Sequence, residues 1–263
     1  MSSAIHPTAV IEPTVKLGQD VKVGPYCVLT GNVVLGDRVE LLSHVCVAGH
    51  TTIGEETKIY PFASIGHAPQ DLKYHGEPST LTIGARNVIR EYCTMQPGTE
   101  TGGMKTTVGD DCLFMAYTHV AHDCHVGSHV IMANAATLAG HVTVHDYAII
   151  GGLAAIHQFV RIGQHAMVGG MSGITQDVIP YGMISRDLGF LTGLNLIGLK
   201  RRGFSRDEIS ELRQAYDDLF SGEGSFGERL ERLGERYADS HHVMEVIHFI
   251  RSAERSVVMP RQV

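Results

Sequence analysis

Residues 120–150 read VAHDCHVGSHVIMANAATLAGHVTVHDYAII, and an apolar residue stands at every sixth position. A period of six matches neither the 3.6-residue repeat of a helix nor the alternation of a single strand. A short strand followed by a turn, repeated every six residues, would point each leading side chain into one interior. Three such strands make a coil of about 18 residues, and stacked coils pair their backbones. The stretch therefore predicts a parallel β-helix of hexapeptide repeats. Its leading residues are Val120, Val126, Met132, Leu138, Val144 and Ile150.

The same period extends over most of the chain. It begins at Ile5, ends near Ile174, and is interrupted twice, by insertions near residues 66–82 and 99–107. The fifth residue of most hexads is small, as expected where three walls converge on a narrow interior. We therefore assign residues 1–184 to the β-helix.

The rest of the chain, residues 185–263, has a different pattern. Ser205 and Glu208 have the spacing of a capping box, and apolar Ile209 and Leu212 follow at helical spacing. The stretches ERLERLGERYA and HHVMEVIHFIRSAE also have helical patterns. We predict a C-terminal α-helical domain, so that the fold class is mainly β with a helical tail.

Composition excludes several classes of function. A formal net charge of −7 over 263 residues disfavours broad binding to nucleic acid or to an anionic membrane. No apolar run reaches the about 20 residues that span a bilayer, so we expect no stable membrane insertion. The start, MSSAIHPTAV, does not resemble a signal peptide. Five irregularly spaced cysteines favour a reducing cytoplasm. Four of them stand at the small fifth position, where we expect buried thiols: Cys27, Cys93, Cys112 and Cys124.

The candidate site lies in HVAHDCHVG, residues 119–127. On a coil of about 18 residues, His122 stacks beneath Gly140, and Gly140 stacks beneath Gln158. This spacing predicts one vertical stripe of histidines outside the apolar interior. Its members are His119, His122, His141 and His157.

Three interpretations of this stripe compete. Histidine is tolerated at exposed turns, so the residues could be without function, as we expect for His125. Three imidazoles could bind zinc, as in β-helical carbonic anhydrases, although this spacing splays the rings. The third interpretation makes His122 a general base, oriented by Asp123, with the backbone N–H of Gly140 as an oxyanion donor. That set indicates acyl transfer to a hydroxyl group.

Two further stretches suggest recognition of phosphate. QDLKY, residues 70–74, lies in the first insertion and carries Lys73. LKRRGFSR, residues 199–206, places four basic residues together in an acidic chain. Either could also be an ordinary solvated surface.

Several motifs together resemble one family. QDLKY, GEP, HVAHDCHVG, ATLAGHV, AIIGG, HQF, MVGGMSG and GLKRRGFSR are similar to those of the UDP-N-acetylglucosamine O-acyltransferases that open lipid A biosynthesis, and the similarity covers essentially the whole chain. The resemblance implies a left-handed β-helix, whereas the usual right-handed crossover rule predicts the opposite hand. It also implies a homotrimer with active sites between subunits, in the cytoplasm of a Gram-negative bacterium.

The family reaction moves an (R)-3-hydroxyacyl chain from acyl carrier protein, which holds it on phosphopantetheine, to the glucosamine 3-hydroxyl of UDP-N-acetylglucosamine. The resemblance makes His122 the base, Asp123 the orienting carboxylate and Gly140 the oxyanion donor, with no metal and no separate cofactor. Asn195, Arg201 and Arg202 match positions near the nucleotide, and a glycine at position 170 implies room for a longer acyl chain. The substrate-contacting positions are Gln70, Asp71, Lys73, His119, His141, His157, Gln158, Gly170, Asn195, Arg201 and Arg202.

The chain departs from the family pattern at three places. Leu188 replaces a histidine, Ile197 replaces a glutamate that contacts the ribose, and Gln96-Pro97 replaces His-Arg. These changes leave open a 3-amino acceptor, which would give an amide. A related N-acyltransferase family carries an additional N-terminal domain, for which the hexads beginning at Ile5 leave no room. A coenzyme A-dependent acetyltransferase, a zinc lyase and a scaffold without catalysis are further alternatives.

Overall fold

The β-helix is the main body of the molecule. A computed structural model describes residues 4–184 and 189–261. Almost every hexad forms a short strand, usually of two residues, and parallel pairing assembles the strands into three long sheets. The predicted fold class is confirmed, because this is a left-handed parallel β-helix with helices at its C-terminal end.

Each sheet is one wall of a triangular prism. The strands of sheet 1 are Ala4–Ile5, Lys22–Val23, Glu40–Leu41, Lys58–Ile59, Val88–Ile89, Leu113–Phe114, Ile131–Met132, Ile149–Ile150, Met167–Val168, Gly182–Ile184 and Leu191–Leu194. The strands of sheet 2 are Val10–Ile11, Val28–Leu29, Cys46–Val47, Ser64–Ile65, Thr94–Met95, His119–Val120, Thr137–Leu138, Ala155–Ile156 and Gly173–Ile174. The strands of sheet 3 are Lys16–Leu17, Val34–Leu35, His50–Ile53, Thr80–Ile83, Lys105–Val108, His125–Val126, Thr143–Val144 and Arg161–Ile162.

The hexad period sets the register of the coils. Val120 pairs with Leu138, and Leu138 pairs with Ile156, so equivalent residues stack one coil apart. All three are almost completely buried. Burying such a side chain stabilises the fold by about 1.5–3 kcal/mol. Every coil buries further side chains of this kind. The four cysteines predicted at the small fifth position are buried as well.

The turns between sheets place one residue per hexad in the left-handed region of backbone conformation. At most turns this residue is not glycine; Tyr26, Asp123 and His165 have φ values of 58°, 59° and 56°. Since successive coils stack, these side chains form columns along the three edges of the prism. Each edge carries a different chemistry.

Between sheets 1 and 2 the column is a run of stacked rings, here called the aromatic edge: Tyr26, His44, Phe62, Tyr92 and Tyr117. Neighbouring ring centroids lie 4.8–5.1 Å apart. Four of these rings are exposed to solvent by 44–61%. Such a long exposed apolar stripe is typical of an interaction surface.

Between sheets 3 and 1 the column is the charged edge. It begins with ion pairs, in which Arg38 contacts Glu56 and Arg86 contacts Asp111, both at 2.8 Å. It continues as a stack of rings, and Arg202 lies 5.4 Å from the centroid of the Tyr147 ring. The stacked rings are His129, Tyr147, His165 and Tyr181.

Beyond Ile174 the chain leaves the hexad pattern. The strands Gly182–Ile184 and Leu191–Leu194 pair antiparallel, in a stretch that the sequence indicated only as a connector. Within residues 189–261 four helices follow: α1 (Leu196–Arg201), α2 (Arg206–Ser221), α3 (Phe226–Arg236) and α4 (His241–Arg251). The short α1 was not predicted as a separate helix. The predicted capping box of Ser205 and Glu208 starts α2.

The helices pack on the top of the prism through a polar contact. Arg161, in sheet 3, donates to Asp177 at 2.7 Å and to the carbonyl of Phe249 in α4 at 2.9 Å. Asp177 is only 1% exposed, so this pair is held away from solvent. Within residues 4–184 and 189–261, no helix combines the length and apolar character that crossing a bilayer requires.

Candidate active site

The third edge, between sheets 2 and 3, holds the predicted site and is here called the site edge: Asp123, His141 and Phe159, with His122 beside them. His122 Nδ1 lies 2.8 Å from Asp123 Oδ2. Because a carboxylate oxygen accepts, Nδ1 carries the proton and Nε2 is left with a lone pair. The side chain of His122 is 14% exposed, so Nε2 can reach a bound molecule while the ring stays packed.

Asp123 is fixed by the second insertion. Its side chain is 0% exposed, and it accepts hydrogen bonds from the backbone N–H of Thr99 at 2.9 Å and from the Thr99 hydroxyl at 2.6 Å. Gly102 packs so closely that a Cβ there would lie 1.9 Å from Asp123 Cγ. A buried carboxylate with three hydrogen-bond donors is held in one orientation.

Thr99 and Gly102 were not predicted as site residues. They lie 24 and 21 positions before Asp123, because the insertion lengthens that coil beyond the usual repeat. The stretch TETGGMKTT contained the only indication, as an interruption of the period directly before the histidine-rich coil.

The first insertion brings a second carboxylate to the other side of His122. Asp71 Oδ2 lies 4.0 Å from His122 Nε2. Asp71 also accepts the backbone N–H of Lys73 at 3.0 Å, which turns the loop at this point. The backbone N–H of Gln70 donates to Gln96 Oε1 at 3.2 Å. Gln96, which departs from the family pattern, therefore anchors the first insertion.

Gly140 lies directly against the imidazole, as the stacking predicted. A Cβ at this position would lie 2.5 Å from His122 Cε1, which is closer than real atoms approach. Its backbone N–H has no hydrogen-bond acceptor in the described part of the chain, so it is free to donate to a ligand. The site edge therefore places a base, an orienting carboxylate and a free backbone donor together.

His141 continues the site edge above Asp123. Its ring meets the ring of His122 edge-on at 5.1 Å and stacks on Phe159 at 4.3 Å. Burial lowers the pKa of His141, and the nearby Asp123 partly opposes that change. Burial also lowers the pKa of His119, whose Nδ1 lies 2.6 Å from the Thr94 hydroxyl.

The prediction of one vertical stripe of four histidines is wrong. His119 stacks under Thr137 in sheet 2, and the exposed His157 lies beyond the end of the next strand, with Nδ1 3.1 Å from the carbonyl of Gln158. Each of the four has a different place within its hexad, so the four occupy neighbouring columns rather than one. Only His122 and His141 have rings in contact. His125, for which no partner was predicted, lies 2.9 Å from the Thr107 hydroxyl.

The remaining predicted positions lie elsewhere on the molecule. Gly170 belongs to the turn between sheets 1 and 2, above Gly152. Arg202 lies beside the charged edge, with Nη1 3.2 Å from His165 Nδ1, and burial lowers its pKa. Asn195 is 3% exposed and caps α1, accepting from Gly198 N–H and donating to the carbonyl of His165. Its amide is thus engaged within the chain.

Three predicted positions near the site edge are exposed: Gln70 and Lys73, which flank Asp71, and Gln158, which precedes Phe159. Arg201 is exposed as well, as is Ile197, one of the departures from the family pattern. Leu188 lies outside the described residues. Within one chain, then, His122 and Arg202 stand on different edges of the prism.

A metal ion is an alternative occupant of the site edge. His122, Asp123 and His141 offer three ligand atoms within 4.8 Å of one another. Asp123 Oδ2, however, already accepts from Thr99 and from His122, and an ion would have to displace these protons. The hydrogen bonds therefore fit a proton-transfer site better than a metal centre.

The prism and the His122–Asp123 pair beside Gly140 define a hexapeptide-repeat acyltransferase. Comparison with known proteins agrees. A family model described as bacterial transferase hexapeptide matches residues 14–49 and 105–140. A second model, described as UDP N-acetylglucosamine O-acyltransferase domain 2, matches residues 177–258.

Full-length relatives narrow the class. An acyl-(acyl-carrier-protein)–UDP-N-acetylglucosamine O-acyltransferase of Rickettsia canadensis is 53% identical over 249 residues, which are 95% of this chain and 94% of the relative. One of Rhizobium johnstonii is 47% identical over 260 residues, covering 98% and 96%. A crystal structure of a UDP-N-acetylglucosamine acyltransferase superposes with a TM-score of 0.95 at 43% identity, covering 99% of this chain and 100% of that one. The chain belongs to the UDP-N-acetylglucosamine O-acyltransferase family.

Proposed function

We propose that the protein transfers an acyl chain from acyl carrier protein to the 3-hydroxyl of the glucosamine in UDP-N-acetylglucosamine, the first step of lipid A biosynthesis. The observation that carries the mechanism is the 2.8 Å contact between His122 Nδ1 and Asp123 Oδ2, which leaves Nε2 as the proton acceptor. The names of the full-length relatives support both substrates.

In this reaction His122 Nε2 removes the proton from the sugar hydroxyl while that oxygen attacks the thioester carbonyl carbon. A C–O bond forms, and the carbonyl oxygen becomes an oxyanion to which the Gly140 N–H donates. Collapse of this intermediate breaks the C–S bond. The imidazolium returns its proton to the leaving sulfur, so His122 ends as it began. Asp123 and Asp71 stabilise the positive ring in between.

The acyl chain that we propose is an (R)-3-hydroxyacyl group, as in the family reaction. Since a glycine occupies position 170, a long chain would find space beside the aromatic edge. Gln70, Lys73 and Gln158 are exposed around the site edge, where they are available for contact with substrate.

We further propose a homotrimer with the active site between subunits. Proposed substrate positions are divided among all three edges: Gly170 by the aromatic edge, His122 at the site edge and Arg202 at the charged edge. One chain cannot bring these residues to one substrate, whereas neighbouring prisms packed side by side could. The exposed aromatic edge offers an apolar surface for such packing. Light scattering should give three times the chain mass.

We infer a cytoplasmic location. All five cysteines are free thiols and four are buried, which suits a reducing compartment. The free acyl carrier protein that we propose as donor requires the same compartment as the enzyme.

The decisive experiment is a turnover assay with acyl carrier protein thioesters of graded chain length and UDP-N-acetylglucosamine. His122→Ala should lower kcat by about 10²–10⁴-fold, because the proton acceptor is lost. His125→Ala is the matched control and should retain kcat, since His125 lies in the strand of sheet 3 and its Nδ1 contacts the Thr107 hydroxyl at 2.9 Å.

Retained turnover in His122→Ala would contradict the proposed base. A preference for the 3-amino analogue of the acceptor would contradict ester formation. Loss of wild-type turnover in a chelator, together with a stoichiometric metal in the purified protein, would indicate a metal centre instead.

A further inference from the structure

A groove of about 500 Å³ opens beside the site edge, immediately beyond His141. One wall is the site edge itself, and the other is the segment that follows α4. The residues of the groove that matter here are His141, Phe159, Arg161, Asp177, Ser252 and Arg255. None of the proposed roles so far includes the segment after α4.

This segment is anchored on both sides of Arg255. On one side, Arg161 donates to the Ser252 hydroxyl at 3.0 Å. On the other, the backbone N–H of Asp177 donates to the Ser256 carbonyl at 3.2 Å, and that of Val258 donates to the Asp177 carbonyl at 2.8 Å. The backbone of Arg255 is therefore held against the top of the prism before any ligand arrives.

The two cations of the groove differ in what neutralises them. Arg161 is paired with Asp177 at 2.7 Å, and its other N–H groups are used by Ser252 and Phe249. Arg255 is exposed and has no carboxylate within 4.0 Å among the described residues, although Glu254 also borders the groove. The guanidinium of Arg255 lies over the Phe159 ring, 5.5 Å from its centroid.

A continuous row of rings connects this cation to the base. The His122 and His141 rings are 5.1 Å apart, and the His141 and Phe159 rings are 4.3 Å apart. A molecule that reacts at His122 Nε2 can therefore extend along this row to the guanidinium. An unpaired guanidinium fixed on an aromatic face is suited to bidentate binding of a phosphate.

We propose that Arg255 binds a phosphate group of one of the two substrates, with Phe159 as its positioning residue. This inference rests on the proposed function. Both substrates offer the same chemistry at different points: the diphosphate of the nucleotide sugar, and the phosphodiester of the pantetheine arm of acyl carrier protein.

The test is steady-state kinetics of Arg255→Gln, with each substrate varied while the other is saturating. Loss of a charge-assisted contact should raise KM for the substrate bound there by about 10- to 100-fold, with kcat nearly unchanged. Arg255→Lys should recover part of the loss. Arg213→Gln, an exposed arginine of α2, is the matched control.

A second arm identifies the phosphate. If the donor phosphate is bound, wild-type enzyme should prefer acyl phosphopantetheine over acyl pantetheine, and Arg255→Gln should lose that preference. If the nucleotide diphosphate is bound, Arg255→Gln should weaken binding of UDP and leave the donor preference intact. Unchanged KM values for both substrates, with wild-type turnover present, would overturn the inference; absence of wild-type turnover would instead refute the proposed function.

Discussion

The site edge and the charged edge each contain a histidine stacked on an aromatic ring, but the two histidines have different charged neighbours. His141 and His165 both occupy the left-handed turn position, both stack face to face on an aromatic ring, and burial lowers the pKa of both. Their charged neighbours differ, since His141 lies near Asp123 and His165 lies near Arg202. A carboxylate favours a protonated ring and a guanidinium opposes it. One stack is therefore suited to proton transfer, and the other to holding α1 on the prism.

Among the tests of this comparison, the largest effect should come from Gly140→Ala, which tests whether the site edge depends on close approach of the Gly140 backbone to the His122 ring. The new methyl group would overlap His122 Cε1 and displace the imidazole. A misplacement of about 1 Å in a reacting group can cost about 100-fold in rate, so we expect kcat to fall by that factor or more. Gly173→Ala adds the same methyl with nothing within 4 Å and should retain kcat. Equal activity of the two variants would contradict the close contact.

A smaller effect is expected from Thr99→Val, which removes the hydroxyl that holds Asp123. The buried carboxylate loses a hydrogen bond, so the free energy of unfolding should fall by about 1.5–3 kcal/mol. The orientation of His122 would also loosen and lower kcat, though less than Gly140→Ala does. Thr107→Val, which removes the contact to His125, is the control for denaturant unfolding and for turnover. An unchanged stability of Thr99→Val would show that the hydroxyl is not needed to hold Asp123.

A third test concerns the charged edge and the pH dependence of stability. Burial, with Arg202 as the next cause, lowers the pKa of His165 from 6.5 to about 4. The folded state thus holds His165 neutral, while the unfolded state takes up a proton below about pH 6.5. Stability should fall as the pH drops from about 6.5 towards 4, by at most about 3 kcal/mol and less after solvent screening.

His165→Gln removes this titration, so its Tm should change less steeply between pH 7 and pH 4.5 than that of the wild type. Carboxylates contribute to acid unfolding in both proteins, and only the difference in slope reports on His165. Parallel slopes in calorimetry would contradict a neutral, buried His165.

The repeat was predictable because a period of six determines where every residue of an unbroken coil lies. Gly140 above His122 follows from that arithmetic alone, as does the burial of Cys124. The capping box of Ser205 was equally local, since its two residues are three positions apart. Stacking distances within a uniform coil need no knowledge of the rest of the chain.

What was not predicted depends on contacts that the period does not determine. Thr99 reaches Asp123 only because the inserted loop folds back over the site, and an insertion has no register. Asn195 matched a substrate position by motif, which stays a prediction, and the period gave no indication that its amide caps α1. The predicted stripe of histidines was wrong for a simpler reason. Side chains at different places in the hexad point in different directions, so they belong to different columns.

The stacking of whole coils has a consequence for how this protein can change. Arg161 lies two coils along sheet 3 from His125, and each step between coils measures about 4.8 Å. The two insertions leave Ile53, Ile83 and Val108 in register and buried, so inserted residues form a loop and do not change the spacing of the coils. The distance from His122 to the groove therefore changes only when a complete coil is gained or lost. The length of substrate that the site can span therefore changes in whole steps of one coil.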